Sequence, residues 1–144
     1  MFIKQISVFL QNIRGSLFKL TDDLGEGKVN LKAISVADTA NFGIVRLIVD
    51  QNEIESTAAL LREKGYAIHI NHVICVSVPD EPGGLSRILH MLDDGGISVE
   101  YLYSFVRTSG RDAQIILRLS DRHAGAELFK ANGIRMLSPA ELPV

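Results

Sequence analysis

The sequence contains little of what several classes of protein require. Its single cysteine, Cys75, cannot form an intrachain disulfide, which is typical of a reducing compartment. No apolar stretch approaches the ~20 residues that a membrane-spanning helix needs, and the amino terminus lacks the segments of a secretory signal. Lysine and arginine form no cluster, and the formal net charge is only −2. These absences predict a cytoplasmic protein that binds neither a membrane nor a nucleic-acid backbone.

What the sequence does contain is typical of a packed globule, with 47% apolar and 22% charged residues. With an offset of 68 residues the two halves align without a gap, and glycines recur at both ends of the first predicted helix. The identical pairs are Ile6/Ile74, Val8/Val76, Gly15/Gly83, Leu17/Leu85, Leu24/Leu92, Gly27/Gly95, Ile48/Ile116, Ala58/Ala126, Leu60/Leu128 and Gly65/Gly133. A duplicated unit explains this pattern.

The period of the apolar residues changes in a fixed order within each unit. Segments 4–11 and 72–78 are rich in valine and isoleucine, as strands are. Each is followed by a turn and then by apolar residues at the spacing 0, 3, 4 and 7, which is one face of a helix. These helical positions are Leu17, Leu20, Thr21 and Leu24 in the first unit, and Leu85, Ile88, Leu89 and Leu92 in the second.

Two further strands, a second helix and a short final strand complete each unit. The second helix of the first unit is predicted to begin with Asn52 as N-cap and Glu55 at the third helical position, and to end at Gly65. Its counterpart is predicted to be weaker because it contains Gly125. The further strands are predicted at 28–37, 45–49 and 66–70 in the first unit and at 97–106, 113–117 and 134–138 in the second.

This order of elements, βαββαβ, predicts the α+β class. We expect two ferredoxin-like domains at residues 1–70 and 71–144. Each would be an antiparallel sheet with both helices on one face, so that a single core lies between the two layers.

The turn between the first strand and the first helix contains the candidate ligand-binding groups. It reads Gln11-Asn12-Ile13-Arg14-Gly15-Ser16-Leu17 in the first unit and Pro79-Asp80-Glu81-Pro82-Gly83-Gly84-Leu85 in the second. A helix N-terminus presents unpaired N–H groups that attract a carboxylate, and glycine allows close approach of a ligand. Asn12 and Asp80 offer oxygen atoms that accept hydrogen bonds from an ammonium group. The turns therefore suit a zwitterion.

The sequence resembles the ACT domain family at this turn, with Asp80-x-Pro82-Gly83-x-Leu85 opening the helix. The resemblance covers the whole chain, once per unit. It implies a regulatory module of amino-acid metabolism with the βαββαβ fold, whose domains pair side by side into an eight-stranded sheet. It also implies that an effector amino acid binds between the turn of one domain and the second strand of its neighbour.

The same resemblance implies a set of ligand-binding residues. In the serine-responsive branch of the family, asparagines occupy both the turn and the start of the second strand; the first unit has this pair, and the second has an aspartate and a serine. The first unit carries Ile13-Arg14 where the family has x-Pro, which leaves open whether one or both units bind. The residues are Asn12, Ile13, Arg14, Gly15, Ser16, Leu17 and Asn30 in the first unit, and Asp80, Glu81, Pro82, Gly83, Gly84, Leu85 and Ser98 in the second.

Structural interpretations compete with each of these features. A Pro-Gly turn before a helix can serve the turn alone, and Arg14 is more often a solvated side chain than a clamp for a carboxylate. His69 and His72 fall on opposite faces of an extended chain, so a metal site is not expected. Cys75 is expected to be a packed thiol rather than a nucleophile.

The aromatic residues of the second unit have a similar ambiguity. Tyr101, Tyr103 and Phe105 line one face of a predicted strand, as core or as a partner surface, and core is favoured. The third strand at 113–117 has no aromatic residue, which argues against RNA binding.

The sequence thus predicts a non-catalytic sensor of an amino acid, without cofactor or metal, that forms a homodimer. No nucleophile–base pair or phosphate loop is evident. One alternative is an interaction module, such as the regulatory subunit of an enzyme of amino-acid metabolism, with vestigial pockets. The other is a small ferredoxin-like enzyme that uses Asp80 or His90.

Overall fold

The structure of the chain is a computed structural model that describes residues 2–38, 41–105 and 112–142. It divides into two compact bodies: Lys4–Asn71, and the residues before Lys4 together with the chain from His72 onward. Within the described residues, no helix is long and apolar enough to cross a membrane.

The first body contains β1 (Ile3–Gln11), α1 (Ser16–Glu26), β2 (Ala33–Asp38), β3 (Phe42–Ile48), α2 (Ile54–Glu63) and the first part of β4 (Ala67–Pro79). Its strand order is β2-β3-β1-β4, and β3 is antiparallel to both β1 and β2. The predicted order βαββαβ is confirmed here.

The second body repeats the arrangement. It contains the rest of β4, then α3 (Gly84–Asp94), β5 (Val99–Ser104), β6 (Asp112–Leu119), α4 (Arg122–Ala131) and the short β7 (Arg135–Met136). Here β6 lies antiparallel between β4 and β5, and β7 pairs with the other edge of β4. The strands predicted at 66–70 and 72–78 are one continuous strand.

Each body buries its own core between the helices and one face of the sheet. In the first body, Leu20 and Leu24 of α1 and Leu61 of α2 pack against Ile6 and Leu47 of the strands. The second body has the same arrangement, with Phe129 of α4 and Ile88 of α3 among its fully or nearly fully buried side chains. The predicted helical face is confirmed except at Leu17, which is 40% exposed.

The second strand of each unit begins at a later residue than the apolar pattern predicted. The residues after α1 first close the helix, since the Val29 N–H donates to the Leu24 carbonyl at 2.9 Å and Lys28 adopts a left-handed φ of 60°. The Ile97 N–H makes the same bond to Leu92 at 2.9 Å. The strands β2 and β5 therefore begin only at Ala33 and Val99. Residue 106, at the end of the second prediction, lies outside the described residues.

The N-cap predicted for the second helix is also wrong. Asp50, rather than Asn52, caps this region, and its carboxylate accepts from the Asn52 N–H at 2.9 Å. A 3-10 turn at Gln51–Glu53 precedes α2, so the α-helix starts two residues after Asn52. Aspartate and asparagine are both common N-cap residues, so the sequence pattern alone did not show that Asp50 takes this role instead of Asn52.

Gly125 lies within α4, which at 10 residues is as long as α2. A Cβ atom at this position would collide with the side chain of Leu119 on β6. The glycine therefore allows the helix to lie close to the sheet, and Asp121 supplies the N-cap through a 3.0 Å bond from the Ala124 N–H.

The two tyrosines of β5 do not belong to the core as predicted. Leu102 lies opposite the buried Leu117, so it shares the core face, whereas Tyr101 and Tyr103 point to the other face of the sheet. Their rings stack with centroids 6.5 Å apart. A β-bulge between Val99 and Tyr101 changes the alternation, which the sequence pattern did not reveal. Phe105 is buried, as predicted.

Candidate functional site

Two glycines determine the backbone conformation of the predicted turn in the second body. Gly83 has a left-handed φ of 84° at the start of α3, which explains why glycine recurs there. A Cβ atom at Gly84 would collide with the carbonyl oxygen of Pro79 at the end of β4. The carboxylate of Glu81 in the turn is paired with the guanidinium of Arg87 on α3 at 2.7 Å. This polar group of the turn therefore already has a partner.

The turn of the first body has the same backbone but different polar contacts. Gly15 has a φ of 90° at the start of α1. The Asn12 side-chain amide donates to the Asp38 carboxylate at 2.5 Å, and the Asn12 N–H donates to the Asn41 carbonyl at 3.3 Å. Asn12 therefore links the turn to the end of β2, while Arg14 is exposed.

Both helices that follow these turns begin without a side-chain cap. In the described part of the chain, no side chain accepts from the first N–H groups of α1 or α3, and neither helix has an acidic residue in its first turn. By contrast, α4, the second helix of the second body, is capped by Asp121. The Ser16 N–H donates to the Ile13 carbonyl at 3.2 Å and the Gly84 N–H to the Glu81 carbonyl at 3.0 Å. The backbone donors at the predicted ligand position are therefore those of the next two residues of each helix, beside the partial positive charge of its N-terminus.

The other predicted positions, Asn30 and Ser98, lie in the short segments that precede β2 and β5. Ser98 is held to the end of β6, since its N–H donates to the Ser120 hydroxyl and its carbonyl accepts from the Ser120 N–H, at 3.0 and 2.9 Å. Both side chains are exposed.

Neither body brings its own turn and its own second-strand position together. In the first body, the turn adjoins Phe42 at the start of β3, whereas Asn30 precedes Ala33, which pairs with Ile48 at the end of β3. At ~3.3 Å per residue, the length of β3 separates these ends by roughly 20 Å. The second body has the same arrangement along β6. One small ligand therefore cannot contact both positions of the same body.

Several apolar side chains near the turn of the first body are exposed, on both faces of the sheet and on α1, which the sequence analysis missed. They lie where β1 and β2 end, where β3 begins and on the first turn of α1, and Phe18 is 73% exposed. We call this set the turn-end patch; it comprises Phe9, Ile13, Leu17, Phe18, Val36 and Phe42. The aligned positions of the second unit are mostly polar: Ser77, Glu81, Leu85, Ser86, Ser104 and Gly110. This comparison was available from the sequence.

The second body also contains a cleft at the end of α3. Its volume is about 410 Å³, and it includes Ser98, one of the predicted ligand residues. The lining residues are Leu89, Leu92, Asp93, Gly96, Ile97, Ser98 and Val99. Asp93 is the charged residue of this cleft, and the sequence analysis did not identify it.

Other candidate reactive groups do not form a site. Burial raises the pKa of the Cys75 thiol to about 12, so the thiol is protonated at neutral pH. Among the described residues, no three metal-ligating side chains converge. His90 pairs with Asp94 at 3.3 Å on the exposed side of α3, and Asp80 is exposed on its turn. The cleft includes neither Asp80 nor His90.

Comparison with known proteins agrees with this fold. The family model described as an ACT domain pair matches residues 1–142. No curated protein sequence matches the chain.

Two solved structures illustrate the similarity. Protein BT0572 from Bacteroides thetaiotaomicron is 32% identical with a TM-score of 0.89, over 99% of this chain and 96% of that one. The ligand-free regulatory subunit of aspartate kinase from Thermus thermophilus is 15% identical with a TM-score of 0.66, over 90% of each chain, which shows a common fold. On the family match and the first similarity, the chain belongs to the ACT domain pair family.

Proposed function

We propose that the protein is a non-catalytic, cytoplasmic regulator that binds an amino acid at the turns before α1 and α3. The family is regulatory, and the aspartate kinase subunit that shares the fold is named as a regulatory subunit. The ligand residues are those of the two turns, together with Asn30 and Ser98. Binding would shift the population between two arrangements of domains or chains, which a partner then reads.

The absence of side-chain caps on α1 and α3 carries this proposal. An amino-acid carboxylate would accept hydrogen bonds from the N–H groups of the second and third helical residues, in the place that a capping side chain takes elsewhere. Asn12 or Asp80 would hold the ammonium group through an oxygen atom. The left-handed glycines Gly15 and Gly83 keep this approach free of side chains.

The separation of the turn from the second-strand position supports a site shared between domains. Because roughly 20 Å of sheet lies between them in one body, a small amino acid cannot span them there. The site would be completed when the turn of one domain meets the second strand of another.

A second copy of the chain would cover the turn-end patch. All six side chains are at least 40% exposed, and exposed apolar side chains near one another mark interaction sites. Four of the six aligned positions in the second unit are polar, so the apolar surface that matches this patch is the same patch on a second copy, as in a two-fold dimer.

A thermal-shift screen of the intact protein against the twenty amino acids tests the proposal. A ligand at a hundred times its dissociation constant adds about 2.7 kcal/mol, which raises the melting temperature by several degrees. We expect one or a few selective amino acids to do so.

Matched variants then assign the site. Asn12→Ala should abolish the shift if the first turn binds, and Asp80→Ala if the second does. Asn52→Ala is the control, because this exposed asparagine follows the end of β3 that lies away from the first turn. A flat screen, or shifts that neither turn variant reduces, would contradict the proposal.

The main alternative is a regulatory subunit whose pockets no longer bind an amino acid. The similarity of fold to the aspartate kinase subunit favours it. Affinity capture from the native organism discriminates between the two: a stable enzyme partner, unaffected by any amino acid, would support the alternative. The remaining alternative, a small enzyme, lacks support because Asp80 and His90 lie outside the described cleft.

A further inference from the structure

A group of polar side chains lies on the face of the second body's sheet that α3 and α4 do not cover. The neighbouring residues Val76 and Ile115 point into the core beneath the helices, so Ser77 and Gln114 point to the other face. The register pairs Ser77 on β4 with Gln114 on β6. Asp112, two residues before Gln114, shares this face, and its carboxylate accepts a hydrogen bond from the Ser77 hydroxyl at 3.1 Å. We call Ser77, Asp112 and Gln114 the acceptor cluster.

Gln114 is buried in this cluster without a hydrogen-bond partner. Its side chain is only 7% exposed, and within the described part of the chain no group donates to its Oε1 atom. A buried amide oxygen that lacks a donor destabilises the folded state. The neighbouring Asp112 is exposed, so the cluster can be reached from solvent. A ligand that supplies the missing donor would explain why glutamine lies here instead of an apolar residue.

The acceptor cluster adjoins the turn before α3. Asp112 is paired with Pro79, the last residue of β4, and the Cα atoms of such a pair are ~4.5–5.5 Å apart. The start of α3 lies against the same residue, because a Cβ atom at Gly84 would collide with the Pro79 carbonyl oxygen. An amino acid held at this turn can therefore extend its side chain towards Asp112.

The first unit has no counterpart of the acceptor cluster. The aligned positions hold two apolar residues and a basic one: Phe9, Ile44 and Arg46. The same fold therefore forms without an acid or an amide at these places, so the cluster is not a requirement of the sheet. The positive charge of Arg46 would repel a cation, whereas the cluster attracts one.

We propose that the second turn binds an amino acid with a cationic side chain, whose ammonium or guanidinium group donates to Asp112 and Gln114. The acceptor cluster suits a cation because a carboxylate only accepts, and the Ser77 hydroxyl already donates its proton to Asp112. This specificity rests on the proposed function and deepens it. The α-ammonium group remains at Asp80, and the α-carboxylate remains at the start of α3.

Calorimetric titration of the intact protein with lysine, ornithine, arginine and norleucine tests the proposal. Norleucine is lysine without the side-chain ammonium group, so the pair isolates the cation. We expect at least one cationic amino acid to bind at least about tenfold more tightly than norleucine, from an ion pair and a hydrogen bond to a charged group. Norleucine that binds as tightly as all three would overturn the proposal.

Asp112→Asn should weaken binding of the cationic amino acid about two- to fivefold, as for an exposed ion pair, and leave norleucine unchanged. Asp93→Asn is the matched control, because it removes the same charge from the exposed opposite end of α3. It should leave both affinities unchanged. Equal effects of the two substitutions would reveal only a long-range influence of net charge and would overturn the proposal.

Gln114→Met separates binding from a structural role. Methionine has a similar length but no amide, so the ligand-free protein should melt at the same or a higher temperature, while affinity for the cation falls. A variant that melts at a lower temperature and binds the cation as tightly as the wild type would show that the amide serves the fold alone.

The specificity and the proposed function can fail separately. A neutral amino acid that binds as tightly as the cationic ones, and whose binding depends on Asp80, would overturn the specificity and leave the proposed function standing. No binding of any amino acid, cationic ones included, would contradict both.

Discussion

At the scale of single residues, the carboxylate of Asp23 contacts three polar side chains of the first body. The Tyr66 hydroxyl donates to its carboxylate at 2.6 Å, and the Lys19 ammonium group donates to the same oxygen at 3.1 Å. The hydrogen bond from Tyr66, followed by that from Lys19, lowers the pKa of Asp23 below its usual value. Lys64 lies 3.8 Å from the other oxygen. These contacts connect α1 to the segment after α2.

We expect Tyr66→Phe to lower the melting temperature at pH 7, and the difference to narrow as the pH falls. Because the pKa of Asp23 is lowered in the folded protein, its contribution is complete above the unfolded pKa of ~3.9. It is lost as the pH falls through the folded value. Thermal unfolding between pH 2.5 and 7 measures this dependence.

The control for Tyr66 is the same substitution made in an Asp23→Asn background. There the difference between tyrosine and phenylalanine should no longer vary over this range of pH. A Tyr66→Phe protein whose deficit is equal at pH 3 and pH 7 would contradict the assignment.

At the scale of elements, the start of α3 differs from the start of α1 in one glycine. Gly84 adjoins the carbonyl oxygen of Pro79, where a Cβ atom would collide with rigid backbone, whereas the first unit has Ser16 at the aligned position. The two turns share their left-handed glycine but differ in how closely the helix approaches the preceding strand.

Gly84→Ala should therefore lower the free energy of unfolding by about 1–3 kcal/mol, the usual cost of overpacking. Ser16→Ala, its counterpart, should change it by less than about 0.5 kcal/mol. Chemical denaturation of both variants gives the comparison.

Gly125→Ala provides a second reference for this prediction. The added methyl group meets only the flexible end of Leu119, and alanine favours the helix by about 1 kcal/mol. We expect a smaller loss than for Gly84→Ala. Equal losses would mean that backbone contact at Gly84 is not the cause.

At the scale of the whole molecule, the turn-end patch predicts self-association through the first unit. The double variant Ile13→Glu, Phe18→Ser introduces the residues that the second unit has at these positions. Since truncation of a central apolar anchor often costs more than 1 kcal/mol, the double variant should dimerise at least about tenfold more weakly. Sedimentation velocity measures the dissociation constant.

Leu102→Ser is the control for the patch, because Leu102 is an exposed apolar residue of the second body. It should leave the dimer unchanged. A wild-type chain that remains monomeric at tens of micromolar would exclude a second copy as the occupant, and an enzyme partner would then be the candidate.

The repeated βαββαβ order was predictable from the sequence. The offset of 68 residues and the change of apolar period report which side chains each element buries, and those are local properties of the chain. The sequence also predicted the positions of the two turns. Each contains a glycine, Gly15 or Gly83, in the left-handed backbone conformation that glycine adopts readily.

Only the tertiary structure decided what surrounds those turns. The closure of α1 by Val29, the bulge before Tyr101 and the exposure of Leu17 depend on backbone contacts that no periodicity encodes. The separation of Asn12 from Asn30 depends on the antiparallel register of β3. Side chains far apart in sequence meet or separate according to how the sheet is paired, and for this reason the cleft beside Asp93 emerged only from the fold.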